Sequence, residues 1–128
     1  MACKILIVDD SSVVRHSVRF WLEQNSDWRI CGEAENGAVA VDQAQQLHPD
    51  VVILDLSMPV MNGLEAARRI TRMSPRPAMV MLTMHVSKQL EREAAAAGVD
   101  RVVSKADHVL DNLAESIRAV IPSRPHMS

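Results

Sequence analysis

Aromatic side chains are nearly absent from this sequence. They make up 2% of 128 residues, namely Phe20, Trp21 and Trp28, and there is no tyrosine. Sites that stack a flavin or nucleobases need aromatic platforms. The composition therefore argues against a flavin site and against stacking on single-stranded nucleic acid.

Long hydrophobic runs and an excess of charge of one sign are also lacking. No segment has the roughly 18 consecutive apolar residues of a membrane span. The N-terminus has no signal-peptide pattern, because Lys4 is followed by only four apolar residues and then two acids. The formal net charge is −2, which indicates no nucleic-acid or membrane partner, and the grouped Arg68, Arg69, Arg72 and Arg76 are interpreted as a solvated face. We expect a cytoplasmic protein.

Cysteine occurs twice, as Cys3 and Cys31, each within an apolar run. The five histidines, His16, His48, His85, His108 and His126, show no metal-ligand spacing, so a zinc site is not indicated. In a reducing compartment we expect two buried free thiols and mostly exposed histidines.

Short apolar runs alternate with helical patterns along the whole chain. The runs predict strands at residues 3–8, 28–35, 51–54, 78–82 and 102–103. Helices are predicted between them, after an N-cap at Ser11, after Asn36-Gly37, and over 63–73, 86–97 (with Gly98 as C-cap) and 107–121. This alternation predicts an α/β fold with a five-stranded parallel sheet, helices on both faces and right-handed crossovers.

Polar side chains follow four of the five predicted strands: Asp9-Asp10, Asp55, Thr83 and Ser104-Lys105. The binding crevice of an open parallel sheet lies outside the carboxyl ends of its strands, so these residues should converge. Several carboxylates in one pocket require a cation, and oxygen ligands favour Mg²⁺. An Asp carboxylate is also a nucleophile towards phosphorus, and an ammonium and a hydroxyl can neutralise the product.

These residues, together with the stretch DLSMPVMNG at 55–63, resemble the receiver domain of two-component response regulators. The resemblance covers residues 3–121, and the wording around Asp55 is most similar to receivers that carry a NarL/LuxR-type helix-turn-helix output. It implies the flavodoxin-like strand order 2-1-3-4-5. We expect residues 1–122 to form the receiver domain and 123–128 to be a flexible tail or the start of a linker to an absent output domain.

The resemblance also implies a role for each site residue. Asp55 would accept a phosphoryl group from a sensor histidine kinase or a small phosphodonor, and Lys105 would pair first with Asp55 and then with the phosphoryl oxygens. Thr83 would turn inward to bond that group. The implied Mg²⁺ ligands are Asp10 directly, Asp9 directly or through water, Asp55, and the carbonyl of Ser57. The transfer would be self-catalysed and stoichiometric, so we do not expect an enzyme, and a homodimer is left open.

Three positions depart from the family pattern. Met84 stands where a small residue usually follows the threonine, and it could restrict access to the acceptor. Ala106 replaces the proline that often follows the lysine in a cis peptide, which leaves the isomer open. Val102 stands where many members carry the aromatic residue that reports phosphorylation to the output face.

Other functions remain as alternatives. A degenerate receiver would keep the fold as a phosphorylation-independent protein-binding module. A phosphatase of the haloacid-dehalogenase type needs a second Asp two residues after the nucleophile, but residue 57 is Ser. A flavodoxin is disfavoured because no Ser/Thr/Gly-rich phosphate loop follows the first strand.

Overall fold

The computed structural model describes residues 2–106 and 108–121. Strands and helices alternate through these residues. The elements are β1 (Cys3–Val8), α1 (Ser12–Leu22), β2 (Trp28–Ala34), α2 (Gly37–Leu47), β3 (Val51–Asp55), α3 (Gly63–Ile70), β4 (Ala78–Thr83), α4 (Lys88–Ala96), β5 (Arg101–Ser104) and α5 (Val109–Val120). No helix of the described residues is both long and apolar enough to cross a bilayer.

The strands form one parallel sheet in the order β2-β1-β3-β4-β5, which confirms the predicted fold. Every residue of β3 and β4 is buried, as expected for strands covered on both faces. The chain leaves β1 towards β2 on one side and later returns to β3 on the other. The strand order therefore reverses between β1 and β3, and their carboxyl ends flank the crevice where such sheets bind ligands.

Alternating side chains divide the core between the two faces of the sheet. On one face, Ile5, Ile53 and Val80 pack in a cluster with α1 and α5. On the other face, the neighbouring Leu6 and Leu54 pack in a cluster with α2, α3 and α4. Packing in these two apolar layers fixes where each strand ends, and therefore the positions of the polar residues that follow the strands.

Both cysteines are thiols outside any disulfide, as expected, but the prediction that they are buried is wrong. Both are half-buried. Cys3 begins its strand and packs against the α1/α5 face, whereas Cys31 lies on the edge strand β2 and packs against the opposite face. Edge and end positions leave one side of a residue open to solvent, which apolar composition alone does not reveal.

Side-chain caps set four helix starts. Oxygens of Ser11, Asn36, Asn62 and Ser87 accept hydrogen bonds from backbone N–H groups three residues later. The predicted caps at Ser11 and Asn36 are correct, whereas α4 starts two residues later than predicted and α3 ends three residues earlier. The C-cap of α4 is Ala97, one residue before the predicted Gly98, which follows it with a φ of 94°. The predicted start of α5 at 107, Pro122 and the tail 123–128 lie outside the described residues.

Candidate functional site

Polar side chains from the ends of β1, β3, β4 and β5 meet at one edge of the sheet. Asp9 (2% exposed), Asp55 (5%) and Thr83 (6%) are buried among apolar strands, whereas Asp10 is exposed. Carboxylate oxygens of Asp9, Asp10 and Asp55 lie within 4.8 Å of one another. The structure therefore brings together the residues that the strand-end pattern selected.

Lys105 is shared between two of these carboxylates. Its Nζ lies 2.9 Å from Oδ2 of Asp9 and 3.0 Å from Oδ1 of Asp55. The backbone N–H of Lys105 donates to the Thr83 carbonyl at 2.8 Å, which continues the pairing of β5 with β4 and holds the lysine over the site. One ammonium thus faces two buried carboxylates.

Burial and charge shift the pKa values of this pair upward. Burial raises the pKa of the Asp55 carboxyl above its ordinary value, and the charges of Asp9 and Asp10 raise it further, while the hydrogen bond from Lys105 offsets only part of the effect. Burial tends to lower the pKa of Lys105, but its hydrogen bonds to Asp9 and Asp55 outweigh this and the pKa is raised. Lys105 therefore stays protonated, and its single positive charge does not balance the negative charges of the carboxylates around it.

The β1–α1 turn is held by contacts on both sides of Asp9. Its N–H donates to the Ala34 carbonyl at 3.0 Å, and its Oδ1 accepts from the Ser11 N–H at 2.9 Å. Arg15 of α1 donates from Nη1 to the Asp9 carbonyl at 2.7 Å and from Nε to Oε1 of Glu33 at 3.0 Å. Sequence reasoning missed Arg15, because its partner is a backbone oxygen that carries no sequence signal.

The loop between Asp55 and α3 is anchored to the sheet at its two ends. The Leu56 N–H donates to the Leu82 carbonyl at 3.0 Å, and the Gly63 N–H donates back to the Leu56 carbonyl at 2.8 Å. A Cβ on Gly63 would collide with the carbonyl oxygen of Asp55, so only glycine permits this close approach. The loop therefore presses directly on the backbone of Asp55.

Within this loop the backbone is strained at Val60. Its φ is 68°, a region that β-branched residues rarely adopt, and its side chain is 82% exposed. The Met61 N–H donates to the Pro59 carbonyl at 2.7 Å, so Val60 is the centre of a tight γ-turn. The Met61 carbonyl in turn accepts from the Gly37 N–H at 3.0 Å, which ties the loop to α2.

A cavity of about 290 Å³ opens beside Asp55. Its lining residues are Asp55, Leu56, Ser57, Thr83, Met84, His85 and Lys105. The Thr83 hydroxyl faces the backbone of His85, from whose N–H it accepts at 3.3 Å. Met84 is 55% exposed at the rim. The pocket is thus open to small reactants and to water.

Two other sequence expectations can be compared with the structure. The Lys105–Ala106 peptide is trans, because the cis bond recorded among the described residues is Ser74–Pro75. His16, His48, His85 and His108 are exposed as expected, and His126 lies outside the described residues. The four grouped arginines are exposed as well.

The donor set fits a hard divalent cation. Lys105 pairs with two of the three clustered carboxylates, so its single positive charge leaves the cluster with an excess of negative charge. All the convergent ligand atoms are oxygens, which are the ligands that Mg²⁺ prefers, and the exposure of Asp10 leaves room for retained water. The arrangement can therefore bind a divalent cation next to a carboxylate nucleophile.

Comparison with known proteins gives a consistent result. Residues 5–118 match the family described as "Response regulator receiver domain". The chain is 38% identical over 131 residues to protein-glutamate methylesterase/protein-glutamine glutaminase 1 of Methanosarcina acetivorans, a match that covers 97% of this chain and 38% of that protein. It is 35% identical over 118 residues to response regulator protein VraR of Staphylococcus saprophyticus, covering 92% of this chain and 56% of that protein.

The fold is shared with solved structures. A LuxR-family two-component response regulator from Aurantimonas sp. SI85-9A1 superposes with a TM-score of 0.90 at 28% identity, covering 100% of this chain and 91% of that one. The predicted likeness to NarL/LuxR-type receivers is therefore confirmed, although the methylesterase relatives show that the likeness is not limited to them. The chain spans less than two thirds of the curated relatives named above.

Proposed function

Because this chain belongs to the response regulator receiver domain family, we propose that it is a phosphorylation switch whose acceptor is Asp55. The observation that carries the proposal is the shared ammonium: Lys105 lies 3.0 Å from Asp55 and 2.9 Å from Asp9 beside an open cavity. An idle buried carboxylate is costly, so two of them held at one lysine favour a functional role.

In this proposal the carboxylate of Asp55 attacks the phosphorus of a phosphohistidine on a sensor kinase, or of a small phosphodonor. The new P–O bond forms on Asp55 as the bond to the donor breaks. Lys105 keeps Asp55 ionised before transfer and turns to the phosphoryl oxygens afterwards. A Mg²⁺ ion held by Asp9, Asp10, Asp55 and the Ser57 carbonyl would neutralise charge on those oxygens.

Thr83 provides the conformational response. Its hydroxyl accepts a weak bond from the His85 N–H at 3.3 Å, in the loop that leads to α4. A phosphoryl group on Asp55 offers a stronger, charged acceptor on the other side of the hydroxyl. The hydroxyl turns inward, and the loop is released from Thr83.

We assign this switch to residues 1–122. Transfer to Asp55 is self-catalysed and stoichiometric rather than a turnover reaction. The output is transcriptional if the chain follows relatives such as transcriptional regulatory protein YdfI of Bacillus subtilis, and the methylesterase relatives offer the other kind of output. The domain acts in the cytoplasm, without direct contact to membrane or nucleic acid, and a homodimer remains a prediction.

Intact mass measurement after incubation with acetyl phosphate and Mg²⁺ tests the proposal. We expect the parent to gain one phosphate and the Asp55→Asn variant to gain none. In Asp10→Ala, added Mg²⁺ should no longer increase the labelling. Asp42→Asn, an exposed carboxylate on α2, is the matched control and should label like the parent.

Two outcomes would contradict it. Equal labelling of Asp55→Asn would mean that the acceptor lies elsewhere. A folded parent that gains no phosphate would favour a phosphorylation-independent binding module instead.

A further inference from the structure

Arg15 connects the acidic site to the edge strand β2. Its guanidinium donates to two acceptors through different nitrogens: Nη1 to the Asp9 carbonyl at 2.7 Å, and Nε to Glu33 Oε1 at 3.0 Å. The side chain is 16% exposed, and that of Glu33 is 17% exposed. Arg15 of α1 is therefore fixed between strand β2 and the β1–α1 turn, and most of its side chain is shielded from solvent.

A second arginine binds the same glutamate but follows a different path. Arg19, one helical turn later, donates from Nη1 to Glu33 Oε2 at 2.8 Å. Arg19 also pairs, at 3.6 Å, with Glu23 at the end of α1, and its side chain is 42% exposed. The two arginines thus share Glu33, and Arg15 is the one that bonds to Asp9.

A hydrogen bond to the Asp9 carbonyl constrains the backbone that leads to Asp10. The Asp9 N–H forms the last rung towards β2, at 3.0 Å from the Ala34 carbonyl, and beyond it the backbone turns into α1. A peptide unit is planar, so holding the Asp9 carbonyl oxygen also fixes the direction in which the chain enters Asp10. The Arg15 bond therefore sets the starting point of the Asp10 side chain.

Asp10 depends on this backbone because its side chain is otherwise little constrained. It is exposed, and within residues 2–106 and 108–121 no hydrogen bond or ion pair of its carboxylate is recorded. Asp9 and Asp55, in contrast, are both held by Lys105. Of the three clustered carboxylates, Asp10 is therefore the one whose orientation depends mainly on its backbone.

We propose that Arg15, held in place by Glu33, is a positioning residue for the divalent-cation site formed by Asp9, Asp10 and Asp55. The inference rests on the proposed function, since it assumes that these carboxylates bind Mg²⁺. Groups that orient metal ligands without touching the metal typically contribute strongly to affinity.

The sign of the effect separates positioning from charge. Arg15 is a cation close to an acidic site, so its charge alone opposes the binding of Mg²⁺. Removal of that charge should tighten binding if electrostatics dominates. Loss of the bond to the Asp9 carbonyl should weaken binding, because Asp10 is then no longer preset towards the other carboxylates.

Three variants of the full chain test this inference. Arg15→Met removes both the charge and the Asp9 bond. Arg19→Met is the matched control, since it removes an arginine of the same helix and an ion pair to the same glutamate but leaves the Asp9 bond. Arg15→Lys keeps the charge, but one ammonium cannot reproduce two bonds made by separate nitrogens.

The measurement is Mg²⁺ affinity by titration of backbone amide signals, with the thermal midpoint recorded for each variant. We expect Arg15→Met to bind Mg²⁺ about tenfold more weakly than the parent. Arg15→Lys should also be weakened. Arg19→Met should bind as tightly as the parent or slightly more tightly.

Each other result has a defined meaning. A folded parent that binds no Mg²⁺ contradicts the proposed function itself. If the parent binds, the positioning role is overturned by unchanged or tighter binding in Arg15→Met, by equal weakening in Arg19→Met, or by parent-like binding in Arg15→Lys. If Arg15→Met does not fold, Arg15→Lys against Arg19→Met decides the question.

Discussion

Met84 is the residue that we expect to control how long a phosphoryl group stays on Asp55. It follows Thr83, is 55% exposed, and lines the rim of the cavity that contains Asp55 and Lys105. Hydrolysis of an acyl phosphate on Asp55 requires water to enter this cavity. A flexible thioether at the rim narrows that approach and keeps it apolar.

We therefore predict that Met84→Ala speeds loss of the phosphoryl group. The expected change is about two- to tenfold, which corresponds to roughly 0.4–1.4 kcal/mol in the barrier. The measurement is the decay of the phosphorylated mass species after the phosphodonor is removed. Val86→Ala is the control, because Val86 is 43% exposed in the same loop but is not among the cavity residues. Equal or slower decay in Met84→Ala would count against steric shielding.

Residues of the candidate site differ in how far the sequence reveals them. Asp9, Asp55, Thr83 and Lys105 could be predicted, because they are polar residues at the ends of apolar strands and parallel topology brings strand ends together. Arg15 could not be predicted, since it bonds to a backbone carbonyl that any residue at position 9 would provide. The sequence thus indicates ligands better than it indicates the groups that aim them.

The strands and helices also differ in how far the sequence predicts them. The strands could be predicted closely, because continuous apolar runs suit a sheet covered on both faces. Helix starts could be predicted where a cap precedes the apolar stripe, as at Ser11, but not for α5. There His108 has a φ of 47° and makes no side-chain cap, and α5 begins only at Val109. The Lys105 N–H, which donates to the Thr83 carbonyl, extends the pairing of β4 with β5 by one residue beyond β5.

Strand β5 carries one of the three departures from the family pattern. It is an edge strand, paired with β4, and carries Val102 in place of an aromatic residue. Val102 is half-buried and packs against the cluster that includes Leu90 and Ala94 of α4. A β-branched side chain has few rotamers, so it cannot repeat a large aromatic swing. A switch based on Thr83 should then act mainly through the loop before α4.

We predict that beryllofluoride, a phosphoryl mimic, shifts backbone amide signals over a limited region. The affected residues should be Asp9, Asp10, residues 55–62, residues 83–87 and Lys105. The matched variant is Val102→Tyr, which supplies the aromatic side chain that this position of β5 lacks. In that variant the shifts should extend into α5. Large shifts at Val109 and Leu113 in the parent would contradict the prediction.

We expect the buried carboxylate of Asp55 to lower the free energy of unfolding of this domain at neutral pH. Burial, together with Asp9 and Asp10, raises the pKa of Asp55 above its ordinary value of 3.8 despite the bond from Lys105. Between the ordinary and the raised pKa the folded state binds more protons than the unfolded state, so the free energy of unfolding falls as pH rises through that window. Above the window the full penalty is present.

It follows that Asp55→Asn should unfold at higher urea concentration than the parent at neutral pH. The difference should shrink as the pH falls through the raised pKa of Asp55, and it should vanish below the ordinary value of 3.8, where Asp55 is protonated in both states. Asp42→Asn, which removes an exposed charge of the same kind, controls for net charge. An Asn variant that is less stable than the parent at neutral pH would show that the bond from Lys105 outweighs burial and repulsion.

Mg²⁺ should narrow this difference in stability, because an ion that binds only the folded state stabilises it by mass action. At ten times its dissociation constant the gain is about 1.4 kcal/mol, and we expect that constant to be roughly millimolar because few protein ligands are available. The parent should gain this amount, whereas Asp55→Asn, with one carboxylate fewer, should gain less. Urea unfolding with Mg²⁺, compared with NaCl at equal ionic strength, measures the difference. Equal stabilisation of both proteins would mean that Asp55 is not a ligand, and that the three carboxylates are close neighbours without a shared ion.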